Sequence, residues 1–152
     1  MPEASTPLPN AEATAVAHSD NKGFRTTLDV AGHALVADEP AAAGGTDQGP
    51  SPYGLLSASL AACTAMTLHA YAKMKGLAIR DIHVTVRHEK VHASDCESCA
   101  RDDGAKVDRL VRTIRIDGDL SDEARARMMQ IADRCPVHRT FVAGVQIVTR
   151  AG

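Results

Sequence analysis

Polarity along the chain changes its period several times, and each change marks an element. Residues Phe24 to Val30 and His33 to Ala37 are short stretches joined at Ala31-Gly32, and they predict a β-hairpin. From Gly54 to Ala72 no charged side chain occurs at all. That stretch predicts one long helix buried on nearly all sides. It follows Ser51-Pro52, an N-cap residue with proline in the first helical position. It runs to about Lys75 and stops at Gly76, with Lys73 and Lys75 near its negative end. The stretch is just long enough to cross a membrane. Its Ser57, Ser59, Thr64, Thr67 and His69, and its dominance by alanine over leucine, point instead to a soluble helix.

Farther on, Ile82, Val84 and Val86 alternate with His83, Thr85 and Arg87, a half-buried strand of about ten residues. Residues 92–106 are polar and read as a loop or hairpin extension, and Val107 to Ile116 is a second strand, the antiparallel partner of the first. Ser121 caps a helix that has Asp122 and Glu123 in its first turn. Ala124, Met128, Ile131, Ala132 and Cys135 then share one face at helical spacing. Pro136 ends or bends that helix, with a short helical piece on to Phe141. Val145 to Thr149 alternates again and predicts a closing strand. The order ββα, ββ, αβ is an α+β pattern, with helices segregated from an antiparallel sheet.

Composition narrows the function classes. With 152 residues the chain holds one domain, taken as residues 13–152 after a disordered tail over 1–12 that has three prolines in its first ten positions. A net charge of −2 indicates neither nucleic acid nor an anionic membrane as partner. Two Phe, two Tyr and no Trp leave no stacking platform for bases. No export signal is legible at the N-terminus, so the expected compartment is the reducing cytosol. There, four cysteines argue for redox or metal chemistry over structural disulfides.

Cys63 lies about three turns into the uncharged helix, beyond much help from the helix dipole. Taken alone it is a small buried hydrophobe, and a reactive thiol there needs a cation from elsewhere. Cys135, beside Pro136 and His138, faces the core and can meet Cys63 there. Two such thiols, close in space and distant in sequence, suit oxidation of one to a sulfenic acid and its condensation with the other to a disulfide. His69 falls about 240° around the helix from Cys63, so it reads as a core or interface residue. His138 is placed to sit near Cys135 or to bond local carbonyls. A separate set, His88, His92, Cys96 and Cys99, includes a Cys-x-x-Cys pair, which lets two sulfurs reach one tetrahedral zinc. His88 and His92 would stand about 13 Å apart on an unbroken strand, so both reach one ion only if the strand ends first. A redox-active disulfide and plain loop thiols are the other readings of Cys96 and Cys99.

Together, Gly44-Gly45, Gly49-Pro50-Ser51-Pro52-Tyr53, Leu55-Leu56, Ala61-Ala62-Cys63-Thr64, Tyr71-Ala72 and Cys135-Pro136-Val137-His138-Arg139-Thr140 resemble the OsmC/Ohr family. Asp38-Glu39-Pro40 before the glycine loop is closest to its OsmC-like branch. The resemblance spans roughly Phe24 to Thr149. It implies an α+β domain in which a curved antiparallel sheet carries a central cysteine-bearing helix and two chains intertwine as a homodimer. The implied activity is thiol-dependent reduction of organic hydroperoxides, with Cys63 peroxidatic and Cys135 resolving. A small dithiol or a lipoyl-bearing protein would be the reductant, and no cofactor is required, zinc at Cys96 and Cys99 being a separate candidate. In the family a glutamate near the start of the cysteine helix pairs with an activating arginine. The glutamate position falls on Tyr53, or one place later on Gly54, neither of them acidic. The candidates for the cation are Arg25 first and Lys22 second, Arg25 reading equally as a solvated charge at a strand end. The rival readings are a non-enzymatic protein of the same fold that binds a small apolar or thiol-reactive ligand, and a metal or redox sensor using Cys96 and Cys99.

Overall fold

A computed structural model describes residues 14–96 and 104–152. The chain divides into two compact units, the first ending at Leu55 and the second running from Leu56 to Gly152. The elements, in order, are β1 (Ala15–His18), β2 (Thr26–Val30), β3 (His33–Ala37), α1 (Pro52–Lys75), β4 (Ala78–His92), β5 (Lys106–Asp119), α2 (Asp122–Ala132) and α3 (Pro136–Ala143). Mixed α+β architecture with antiparallel sheets is thus as the sequence predicts. The tail expected over residues 1–12 lies outside the described residues.

In the first unit β2 and β3 form the expected hairpin, pairing Thr26 with Ala37 through Val30 with His33. Its turn uses Ala31 and Gly32, both at positive φ. The strand β1, which the alternation did not reveal, adds to the other edge of β2. The loop from Asp38 to Ser51 is organised by one carboxylate. Asp38 is 2% exposed; its Oδ1 accepts from the Glu39 amide at 2.8 Å. Its Oδ2 accepts from the Thr46 hydroxyl at 2.5 Å and from the Thr46 and Gln48 amides at 3.2 Å. Glycine is required at Gly45 and Gly49, where a Cβ would overlap the carbonyls of Glu39 and Val36.

In the second unit β4 and β5 form a long antiparallel hairpin, register Ala78 with Asp119 to His92 with Lys106. Both strands extend past the alternating segments that predict them, because charged pairs take over where apolar ones stop. Arg109 and Arg87 bond Glu89, and Lys90 and His88 bond Asp108. A bulge between Ile79 and Asp81 faces Gly118, whose missing side chain admits the Ala78 carbonyl. Leu68 and Ala72 of α1, Ile116 of β5, and Met128, Ile131 and Ala132 of α2 form the core. Ser121 caps α2 as expected, its side chain accepting from the Ala124 amide at 3.1 Å.

Three expectations need correction. The helix α1 is not buried on nearly all sides: its buried residues are Leu60, Thr64, Leu68 and Ala72, a single stripe at four-residue spacing. Absence of charge predicts helix and apolarity, but a single chain covers only one face, and Met66 and Met74 are each 70% exposed. By length and composition α1 could cross a membrane, yet its buried stripe is packed in the core just described. The helix α2 ends at Ala132, so Cys135 is not its last stripe residue. Finally, Val145 to Thr149 forms no strand. Alternation supplies the preference for extended backbone but not the neighbour that must complete its hydrogen bonds, and Val145, Ile147 and Val148 stay exposed.

The Thr46 hydroxyl bond, against the opposing effect of burial and with help from the amides of Gln48, Glu39 and Thr46, holds the Asp38 carboxyl below its ordinary value. The folded state therefore holds the Asp38 proton less tightly than the unfolded chain, whose value is about 3.9. Its stabilisation is present above that pH and is lost as pH falls through the lower folded value. Asp38→Asn should melt below wild type at pH 7, since an amide NH₂ would confront N–H and O–H donors, and should show a shallower loss between pH 5 and pH 2. Parallel acid slopes in the two melting series would contradict this role.

Candidate functional site

Cys63 and Cys135 meet. Cys63 projects half-buried from α1, and Cys135 is fully buried as the N-cap residue of α3. The placement of Cys135 has a local cause. After α2 ends, the amides of Arg134 and Cys135 still reach back to Ile131 and Ala132 at 2.9 and 3.3 Å. Pro136 then cannot continue that helix but starts a new one well, its φ being preset and its missing N–H costing nothing at the first position. The turn thus ends with the Cys135 sulfur at the N-terminus of α3, where the amides of Val137 and His138 favour its anion without closing a formal cap.

The two sulfurs lie against each other, and their surroundings shift the two thiols in opposite directions. Burial opposes ionisation of Cys135 most strongly. The Cys63 thiol, the His138 amide, the Thr64 hydroxyl and the Val137 amide together outweigh it, and the Cys135 thiol is lowered. The Cys63 thiol is raised, first by burial and then by donating to Cys135 and facing its charge. The Val137 amide and Thr67 hydroxyl offset this only in part. Of the two, the buried sulfur is therefore the one that gives up its proton first as pH rises.

Thr64 sits beside Cys63 on the buried stripe, and its hydroxyl contacts Arg112. The Arg112 side chain is 13% exposed and uses both ends of its guanidinium. One nitrogen, Nη1, donates to Thr64 Oγ1 at 3.0 Å and to the Ala132 carbonyl at 3.1 Å; Nη2 pairs with Asp133 at 2.7 Å. His138 Nδ1 lies 3.8 Å from the same Asp133 oxygen. Neither Thr64 nor Arg112 was singled out from the sequence. The signal was nevertheless present: in Leu110, Arg112, Ile114 and Ile116 an arginine occupies the register of the apolar face of β5.

The other candidates fall elsewhere. Arg25, in the first unit, is exposed and donates from Nε to Gln48 Oε1 at 2.9 Å, joining the loop that Asp38 organises. Tyr53 and Gly54 begin α1, whose first turn contains no acidic residue. His69 is exposed and lines a groove with Ala65, Met66, Lys73 and Leu77, which Cys63 does not line. His88 bonds Asp108 at 2.7 Å, and His92 is exposed at the end of β4. Cys96 is disulfide-bonded, and Cys99 lies outside the described residues. Among the described residues, His88, His92 and Cys96 do not gather into a ligand set; Asp81, His83 and Asp117 do, on the surface.

The sequence model of the OsmC-like protein family matches residues 45–150. No curated protein matches the chain. Several solved structures do. An OsmC-like protein from Mycoplasma pneumoniae is 23% identical over 87% of this chain and 86% of its own, with a TM-score of 0.64. The organic hydroperoxide resistance protein OhrB of Bacillus subtilis is 23% identical over 84% and 87%, TM-score 0.59. The organic hydroperoxide resistance protein OsmC of Legionella pneumophila is 19% identical over 83% and 85%, TM-score 0.59.

Thiolate absorbance near 240 nm, followed against pH in the reduced protein, should rise in two separated steps. One should fall below the ordinary cysteine value of about 8.5 and the other above it. Cys135→Ala should delete the lower step and bring the Cys63 step down, because a donor's burden and a facing charge both disappear. Cys63→Ala should leave the Cys135 step but move it up, since one donor to the thiolate is gone. Two steps near the ordinary value, unaffected by either substitution, would refute the shared proton.

Proposed function

The chain belongs to the OsmC-like protein family, and from that premise we propose that it reduces organic hydroperoxides through Cys63 and Cys135. The observation that carries the reading is the contact of an accessible thiol with a buried one, both free, at a helix N-terminus. The Cys63 sulfur attacks the distal peroxide oxygen, the O–O bond breaks, and the alkoxide takes a proton to leave as an alcohol. The Cys63 sulfenic acid is then attacked by the Cys135 sulfur; the S–O bond breaks and hydroxide leaves as water with a proton from the site. One peroxide thereby gains the two electrons released as two thiols become a disulfide. An external dithiol, small or borne on a lipoyl protein, restores the thiols by exchange. The cycle consumes only peroxide and dithiol and so requires no cofactor. Cys63 is assigned the peroxidatic role because a substrate can reach it, whereas Cys135 has no exposed surface.

The reading extends to a homodimer in the cytosol. Met66 and Met74 on α1, and Val142, Val145, Ile147 and Val148 after it in the second unit, are large exposed apolar residues. A second copy would cover them and offer the C-terminal segment the strand partner it lacks among the described residues. Alkyl or lipid peroxides fit apolar surroundings better than hydrogen peroxide does. The missing acidic residue in the first turn of α1 favours a second reading, a non-enzymatic binder of thiol-reactive ligands.

One equivalent of cumene hydroperoxide added to reduced protein should be consumed with loss of two thiols. Cys63→Ser should abolish consumption. Cys135→Ser should still consume one equivalent but stop at a sulfenic acid trapped by dimedone. Peroxide loss that survives Cys63→Ser would end the peroxidase reading, and no loss in the wild type would leave the binding reading in its place. In sedimentation the protein should run at twice the 16.0 kDa chain, with Met66→Glu shifting it toward the single chain.

A further inference from the structure

We propose that Arg112 is a positioning residue whose guanidinium ties the helix turn of Cys63 to the backbone of Cys135, holding the two thiols in reach of a disulfide. This deepens the peroxidase reading and rests on it for its use in turnover. The tie itself belongs to the reduced protein and is tested without peroxide.

A disulfide needs the two Cβ atoms within about 3.5–4.5 Å, so a small slip of one element past the other keeps the sulfurs apart. The aliphatic contacts of Leu68 and Ala72 with α2 lie beyond Cys63 along α1. Burial of such side chains is non-directional and leaves the sliding of the two elements to be fixed by directional bonds. Arg112 supplies them. Its Nη1 donates to Thr64 Oγ1 at 3.0 Å and to the Ala132 carbonyl at 3.1 Å. Thr64 follows Cys63 on α1 and is fully buried. Its hydroxyl gives its one proton to the Leu60 carbonyl at 2.7 Å, so accepting from Arg112 as well fixes its rotamer. The Ala132 carbonyl in turn accepts the amide of Cys135 itself, at 3.3 Å. A continuous chain of hydrogen bonds thus leads from the residue beside Cys63, through one guanidinium nitrogen, to the backbone of Cys135.

The other nitrogen, Nη2, pairs with Asp133 at 2.7 Å, so the planar fork faces α1 and the turn after α2 at once. Arg112 is itself anchored on β5, opposite Val86 of β4, and refers both cysteine-bearing segments to that hairpin. Its bonds end on Thr64, Ala132 and Asp133, and it acts through them. In the proposed cycle the effect falls on the second step. Attack of the Cys63 sulfur on peroxide needs only access. The Cys135 sulfur, by contrast, must meet the Cys63 sulfenic sulfur as the S–S bond forms, the S–O bond breaks and water leaves with the thiol proton. The rate of such a step follows the effective concentration of the two groups.

The test is the effective concentration of the Cys63–Cys135 pair in the full-length protein, read from its equilibrium with reduced and oxidised glutathione. Two protein thiols and one glutathione disulfide exchange to the protein disulfide and two glutathione thiols, and peptide mass spectrometry after alkylation follows this pair alone. Arg112→Met should lower the effective concentration about tenfold, or about 30 mV in the pair's potential. Thr64→Val, which keeps the shape and removes the acceptor, should lower it in the same direction, and Thr64→Ser should return it to wild type. The double variant should fall no further than Arg112→Met, because the two residues form one tie. Ser121→Ala, which loosens the opposite end of α2, should reduce the melting temperature and leave the effective concentration unchanged. Circular dichroism establishes that each variant is folded. A folded Thr64→Val protein matching wild type would overturn the proposal, whether or not Arg112→Met folds, as would a Ser121→Ala protein that falls as far. A wild type that consumes no peroxide while these shifts appear would instead remove the peroxidase reading and leave the tie standing.

Discussion

Everything in the second unit is arranged about one stripe of α1, formed by Leu60, Thr64, Leu68 and Ala72. At Leu68 and Ala72 the stripe packs against Met128, Ile131 and Ala132 of α2 and Ile116 of β5, as an ordinary aliphatic core. One turn earlier, at Thr64, the same stripe becomes polar, and the strand opposite supplies Arg112 rather than another isoleucine. The chemistry lies at that change of polarity. A core that is dry on one side and holds a charged network on the other fixes the network's side chains by packing, because neighbouring aliphatic rotamers leave them little freedom.

Two sulfurs in contact cannot both be ionised without strong repulsion. The molecule resolves this by separating access from charge. Cys63 can be reached and its thiol is raised; Cys135 cannot be reached and its thiol is lowered. Such a division protects the anion from adventitious oxidants, since an attacking electrophile meets the thiol first. It also shapes the reverse process. In the proposed cycle the sulfur with the more stable thiolate is the better leaving group, so an incoming dithiol would be directed to the Cys63 sulfur, which is also the one it can reach.

How much of this was legible in the sequence follows from which forces act locally. Helix ends were readable because their signals lie within a turn of the boundary: Ser51-Pro52, Gly76, and Ser121 with Asp122 and Glu123. The β2–β3 and β4–β5 hairpins were readable from alternation. What alternation cannot give is the partner. The segment from Val145 to Thr149 has the pattern of a strand and no strand neighbour among the described residues, and α1 has the apolarity of a buried helix with one face covered. In both cases composition records the surroundings that the residue needs, which a single chain does not supply in full.

The site divides in the same way. Cys63 and Cys135 stood out because thiols are few and their flanking residues are unusual. Arg112 did not, because its meaning is a matter of register: among charged neighbours such as Arg109 and Arg115 it looks like one more surface cation. Only its position in phase with Leu110, Ile114 and Ile116 distinguishes it, and phase is settled once the strand is paired and its inward face identified. A carboxylate sought at Tyr53 or Gly54 assumes that charge must enter through the first turn of α1. In this chain a cation enters from β5 instead and bonds the hydroxyl of Thr64, the neighbour of Cys63 on the stripe that also builds the core.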